Sequence, residues 1–436
     1  MTVVLGAAPS GLVGKVVTPD DRRYGMLCST YTTVGAPAAV VLPESASDVA
    51  AALRLARERG LSVAIRSGGH GLSGSATNTD GLVIDLSAMS RVDVLDRAAR
   101  LVRVEAGARW GQVTQALSSS GLAISSGDHG NVGVGGLATA GGIGWLVRHF
   151  GLTIDRVRAV EVVLADGTMV RADPLTEPDL LWVMRGAGAG AGVAIAFEIE
   201  AIELGDVGFV QLVAGVDRAG DTLRRWEVAM AKAPRELSTS VMLSSHSVTP
   251  VAFITAVVAS DEQARIMRAI QPLLGIGKVT IQQAHVVPYT NLIASAQMQS
   301  NTGQMPSHTT NGLFTELTPD AARALVAAAS GPDPVLLQMR SLGGAVNDMD
   351  PSATAYAHRH QQTMVIASTF PPDAQQELVA AWDTITPYSD GTYASLQSNP
   401  SKSMMASAYP GPTGARVVEL WKRYDPDGVL RQPLGK

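Results

Sequence analysis

Residues 66–81 read RSGGHGLSGSATNTDG, a loop that sets His70, one of the chain's eight histidines, between glycine pairs. Its flanks say how the loop is held. Upstream, PESASDVAAALRLARERGLSVAIRSGG (43–69) opens with Ser45 and Asp48 in the positions of a capping box, continues through good helix formers from Val49 to Arg59, and stops at Gly60. A strand over Ser62–Arg66 follows, so a helix delivers a strand directly into the glycine loop. Downstream, GLVIDLS (81–87) and LVRVEAGA (101–108) read as strands, and RWGQVTQALSSSG (109–121) as a helix from Trp110 to Leu117 with Gly121 beyond it. RAVEVVLADGTMVRAD (158–173) is a hairpin, because two β-rich runs flank Asp166-Gly167, a dipeptide that tolerates positive φ in a tight turn. PDLLWVMRG (178–186) returns to helix, so the first half mixes helices and strands in the manner of an α+β fold.

From about Gly205 the texture changes. Glycine clusters give way to longer segments such as DTLRRWEVAMAKAP (221–234) and DEQARIMRAIQPLLGIG (261–277), alternating with β-like runs such as PVAFITAVVAS (250–260). A chain of 436 residues exceeds one small core and leads to an expectation of two domains, at roughly 100–200 residues each. The expected division is 1–205, 206–385, and a C-terminal segment, 386–436, that returns to the first domain. Its helix, from about Ala415 to Tyr424, stops at Asp425-Pro426, as proline requires.

Composition narrows the partners. A net charge of −5 without any block of Lys/Arg argues against nucleic acid and against anionic membranes. One cysteine, Cys28, rules out an intrachain disulfide and a cysteine-based metal centre, and no metal site is expected. The first 25 residues place Lys15 after their apolar residues rather than before them, and no apolar run reaches the ~20 residues that cross a bilayer. A cytoplasmic protein, monomer or homodimer, is the expectation.

Three glycine clusters occupy the first half: 66–74, 127–144 (GDHGNVGVGGLATAGGIG) and 185–193 (RGAGAGAGV). Such loops let backbone N–H groups close on an anionic or planar ligand that a Cβ would obstruct. A Rossmann fingerprint requires G-x-G-x-x-G/A after a strand and before a helix. Gly186 to Ala191 matches the bare pattern, but follows helical DLLWVMR and leads into β-like VAIAFEIEAIEL, the reverse of the required context. Packing and turns alone account for one such cluster more readily than for three.

Taken in order, RSGGHGLSG, NVGVGGLATAGGIGWLVRHFGLTIDRV (131–157), DLLWVMRGAGAGAGV (179–193), LGGAVNDMDPSATAYAHR (342–359) and WKRYDPDGVLRQ (421–432) resemble successive signatures of FAD-linked oxidases with a PCMH-type flavin domain, most closely the berberine-bridge-enzyme-like branch. The resemblance implies a two-part FAD-binding domain plus a substrate domain whose mixed or antiparallel sheet is covered by helices. It implies a flavin bond from His70 to the 8α-methyl carbon, with Arg66, Ser67, Gly68, Gly69 and Gly71 around the phosphates. A neutral imidazole held beside that methyl group is a competent nucleophile. Relatives often carry a second flavin bond from a cysteine where this chain has His129, so a single attachment is expected. Gly127, Val132, Gly133, Val134, Gly135, Gly136, Thr139 and Gly142 are expected along the flavin. So are Gly192 and Val193 at a strand start and Ser395 in TYASLQ (392–397). Small Ala138 implies access for dioxygen, and Arg148, Gly151 and Asp155 read as structural.

The second domain departs from the family pattern. The usual terminal aromatic of Tyr-x-Asn-Tyr/Phe is Leu396 here, and QQTMVIASTF (361–370) holds no carboxylate base. The weak catalytic candidates are Tyr393 and, on one face of a strand in LLQMRSLGGA (336–345), Gln338 and Arg340. His358 and Arg359 are expected to join the domains. The implied activity is a hydride-transfer oxidase for a small, moderately apolar organic molecule such as a secondary metabolite, reoxidised by O2 to give H2O2. An oxygenating flavoenzyme and a flavin-binding protein without turnover are the alternatives.

Overall fold

The computed structural model describes residues 9–244, 250–293, 307–331, 335–370 and 375–431. Helix Ala46–Glu58 starts where its cap dictates: the Ser45 side chain accepts the Asp48 N–H at 3.3 Å, and Val49, Leu53 and Ala56 turn inward. It feeds strand Val63–Arg66, which pairs in parallel with Leu82–Asp85. Leu82–Asp85 pairs in turn with Ala39–Val41, and Val16–Val17 closes the edge antiparallel. The middle strands are buried on both faces, as parallel strands covered from both sides must be.

Beside this small sheet lies an antiparallel one, in the order Val92–Asp96, Leu101–Glu105, Val193–Glu200, Val157–Val163, Met169–Ala172. Its last two strands form the expected hairpin. Gly167 adopts φ +91°, and Asp166 Oδ1 accepts the Thr168 N–H at 2.8 Å. Helices Trp110–Ser118 and Pro178–Met184 share its core, where Trp110 and Phe197 are fully buried.

The larger sheet has seven strands, all paired antiparallel: Val279–Val287, Val207–Gly215, Val251–Val258, Leu237–Ser244, Leu336–Ser341, Thr363–Thr369 and His308–Phe314. Alternation sends Val210, Leu212, Leu337, Met339 and Val365 toward helices Asp221–Lys232, Gln263–Ile270 and Pro319–Ser330. Ser240, Gln338 and Arg340 take the opposite face.

Two arginines stitch the sheets together. Arg148, buried and without a carboxylate, donates Nε–H to the Leu237 carbonyl at 2.8 Å, Nη1–H to Leu342 at 2.6 Å, and Nη2–H to Met230 and Ala233. Arg359 forms a bidentate pair with Asp155 at 2.7 and 3.0 Å, also buried. Helix Gly411–Tyr424 returns to the first half, with Trp421 Nε1 donating to the Ala187 carbonyl at 2.8 Å. The tail then runs beside Val63, whose carbonyl accepts the Arg431 N–H at 2.9 Å. No helix among the described residues is long and apolar enough to cross a membrane.

Candidate functional site

The first two glycine clusters meet. A Cβ on Gly68 would overlap the Gly133 backbone, and one on Gly133 would overlap Ser67 Oγ and the Gly68 N–H. Ser67 Oγ donates to the Ala106 carbonyl at 2.6 Å and accepts the Gly135 N–H at 3.2 Å. Arg109 Nη1 donates to the Gly68 carbonyl at 3.3 Å and to the Asn131 carbonyl. These glycines thus serve loop-to-loop contact. Gly71 and Gly136 differ: a Cβ at either meets no heavy atom within 4 Å, so the cradle opens there.

His70 sits in this junction. Tyr31 stacks on its ring at 5.1 Å between centroids and 19° between planes, and His129 lies 5.4 Å away on a tilt of 46°. Burial, reinforced by the neighbouring His129 and Arg109 charges, pushes the His70 pKa down to about 4. The imidazole is therefore neutral near pH 7 and keeps a nitrogen lone pair. His129 Nδ1 accepts the Asn131 N–H at 3.3 Å, and the Gly69 carbonyl accepts the Tyr31 N–H at 3.0 Å.

Other expected residues take different posts. Arg66 is fully buried: its Nε donates to Asp85 at 2.7 Å and its Nη1 to the Ser29 carbonyl at 3.0 Å, so its side chain is committed to the protein interior. Val134 turns its side chain into the core and its N–H to the Ala108 carbonyl, and Gly135 gives its N–H to Ala106 and Ser67. Both therefore brace helix Val134–Ala140. Ala138 is enclosed in the core. Thr139 Oγ1 donates back to the Gly135 carbonyl at 2.7 Å. Val132 accepts the Trp110 N–H, and Gly127 packs against Leu137. Gly192 packs on Val162 at the start of strand Val193–Glu200.

Tyr393 is buried, and its hydroxyl accepts the Gly142 N–H at 3.1 Å. Its own N–H is taken by Asn311 Oδ1 at 2.7 Å, while Asn311 Nδ2 donates to the Tyr393 and Leu396 carbonyls at 2.9 and 3.0 Å. Tyr393 thus fastens the turn Ala394–Leu396, which holds Ser395, to the glycine helix. Asn311 escaped sequence reasoning because nothing in HTTNGLF marks it.

Gln338 and Arg340 do share a face. Gln338 Nε2 donates to Ser240 Oγ at 3.0 Å, and Arg340 pairs with Asp128, the residue before His129. The Arg340 guanidinium lies 6.0 Å from the Trp145 ring centroid. Burial pushes the Asp128 carboxyl up, but Arg340 outweighs it and holds the group below the usual carboxylate range. The sheet face and the His70 junction are therefore joined through two consecutive residues, Asp128 and His129. Asp128, Arg109 and Tyr31 carried no motif signal.

Residues 37–173 match the family described as FAD binding domain. The (R)-6-hydroxynicotine oxidase of Paenarthrobacter nicotinovorans is 25% identical over 98% of this chain and 97% of its own. Glucooligosaccharide oxidase from Acremonium strictum, a structure described as having a 6-S-cysteinyl, 8α-N1-histidyl FAD, superposes with a TM-score of 0.88 at 22% identity, over 98% of each chain. The BBE-like 1 protein of Physcomitrella patens gives 0.88 at 19% identity, again over 98% of each chain.

Proposed function

Given that the chain belongs to the FAD-linked oxidoreductases built on a PCMH-type flavin domain, we propose that it is an oxidase carrying FAD on a single covalent bond from His70. The observation that carries this reading is the His70 ring, neutral and fixed between Tyr31 and His129 in a glycine loop that opens at Gly71 and Gly136. These residues fit the cofactor: open glycine backbone for the pyrophosphate and a neutral imidazole for the methyl carbon. The chemistry that FAD would supply when bound in this cradle is acceptance of a hydride from substrate and reoxidation by dioxygen to hydrogen peroxide.

The chain's own residues supply the setting. Residues 1–205 and 386–436 form the flavin half, and residues 206–385 the substrate half. Ser240, Gln338 and Arg340 present hydrogen-bonding groups to the substrate, and register puts exposed Met242 and Phe253 on the same face, so a moderately apolar molecule with a polar handle fits. The Asp128 carboxylate, paired with Arg340 on that face, is the group assigned to take a proton. The test is photoreduction of the purified protein under anaerobic conditions, followed by air. Recovery of the flavin absorbance within seconds, with peroxide formed, is the expected result; flavin that stays bleached for many minutes contradicts an oxidase.

A further inference from the structure

His70 is held by rings from two other parts of the chain. Tyr31 comes from the segment before the first parallel strand, and its N–H is bonded to the carbonyl of Gly69, the residue before His70. His129 comes from the second glycine cluster. Because its Nδ1 accepts the Asn131 N–H, its proton sits on Nε2, leaving a donor on the far side of the ring. The residue before it is anchored by the Asp128–Arg340 pair.

We propose that Tyr31 and His129 are positioning residues for the flavin bond, clamping the His70 imidazole in the orientation from which one of its nitrogens reaches the 8α-methyl carbon. This rests on the reading of His70 as the attachment point. Linkage breaks one 8α C–H bond and the imidazole N–H bond and forms one C–N bond. The two protons and two electrons released leave through the isoalloxazine to dioxygen as hydrogen peroxide. Such a step depends on a near-attack geometry, which a freely rotating imidazole occupies only part of the time. Stacking by Tyr31 restricts rotation of the ring, and the tilted His129 ring packs beside it.

The experiment follows acid-stable flavin against time in air, using protein purified with FAD bound but not yet linked. Tyr31→Ala and His129→Ala should keep FAD bound yet form acid-stable flavin about tenfold more slowly or worse. Tyr31→Phe, which keeps the stacked ring, should restore the rate, and added imidazole should rescue His129→Ala. Linkage at the wild-type rate in both alanine variants overturns the proposal, as does loss of all FAD from variants that remain folded. Should either alanine variant fail to fold, Tyr31→Leu and His129→Gln are read in its place by the same criteria. His70→Ala tests the underlying reading separately: acid-stable flavin persisting there refutes the attachment point itself.

Discussion

At the scale of the residue, the glycines divide by what a methyl group would meet. Gly68→Ala must displace the Gly133 backbone, and Gly133→Ala must displace both Ser67 Oγ and the Gly68 backbone. The expected result is loss of FAD together with a lower melting temperature. Gly71→Ala and Gly136→Ala have room in the chain itself, so the unfolding free energy of the cofactor-free protein should stay within about 0.5 kcal/mol of wild type while FAD affinity falls. Calorimetry and flavin titration on the same four variants check this. The motif marked all four glycines alike, since a pattern of residue types does not distinguish glycines that admit another backbone from glycines that face an opening. It also pointed to His70 without revealing Tyr31 or His129 as its neighbours, because stacking between rings leaves no periodic trace.

At the scale of the element, the turn Ala394–Leu396 and the segment before strand Thr363–Thr369 carry the junction between the halves. Tyr393→Phe leaves the buried Gly142 N–H without its acceptor, at a cost of roughly 1–3 kcal/mol. If Tyr393 is a fastener, the variant loses stability while its flavin still reduces and reoxidises; if it is catalytic, flavin reduction by substrate fails instead. His358 is buried with Nε2 at 3.1 Å from the Ala408 carbonyl, and burial lowers its pKa to about 4 although that carbonyl pulls the other way. Between roughly pH 6.5 and 4 the unfolded chain takes up a proton at this position that the folded chain refuses, so stability falls as pH falls through that window. His358→Gln should flatten this part of the melting-temperature profile. Helix Ala46–Glu58, the hairpin at Asp166-Gly167 and the final helix were legible because caps, turns and proline act locally. Asn311 was not, since its partners lie 82 and 85 residues away.

At the scale of the molecule, buried arginines tie the first half of the chain to residues of the second. Arg148 gathers the carbonyls of Met230, Ala233, Leu237 and Leu342, and its removal strands them. Arg148→Met should destabilise the protein by roughly 3 kcal/mol or more, visible in denaturant melts. The Arg340–Asp128 pair spans 212 residues and completes the site, which is why sequence reasoning placed Arg340 on the correct strand face without finding its partner. Peptide mapping tests the central claim most directly. Trypsin frees His70 in Ser67–Arg91 and His129 in Trp110–Arg148. After acid precipitation of the holoprotein, the flavin mass is predicted on the first peptide, localised to His70, with the second unmodified. Flavin released into the acid supernatant, or found on the second peptide, would contradict the account.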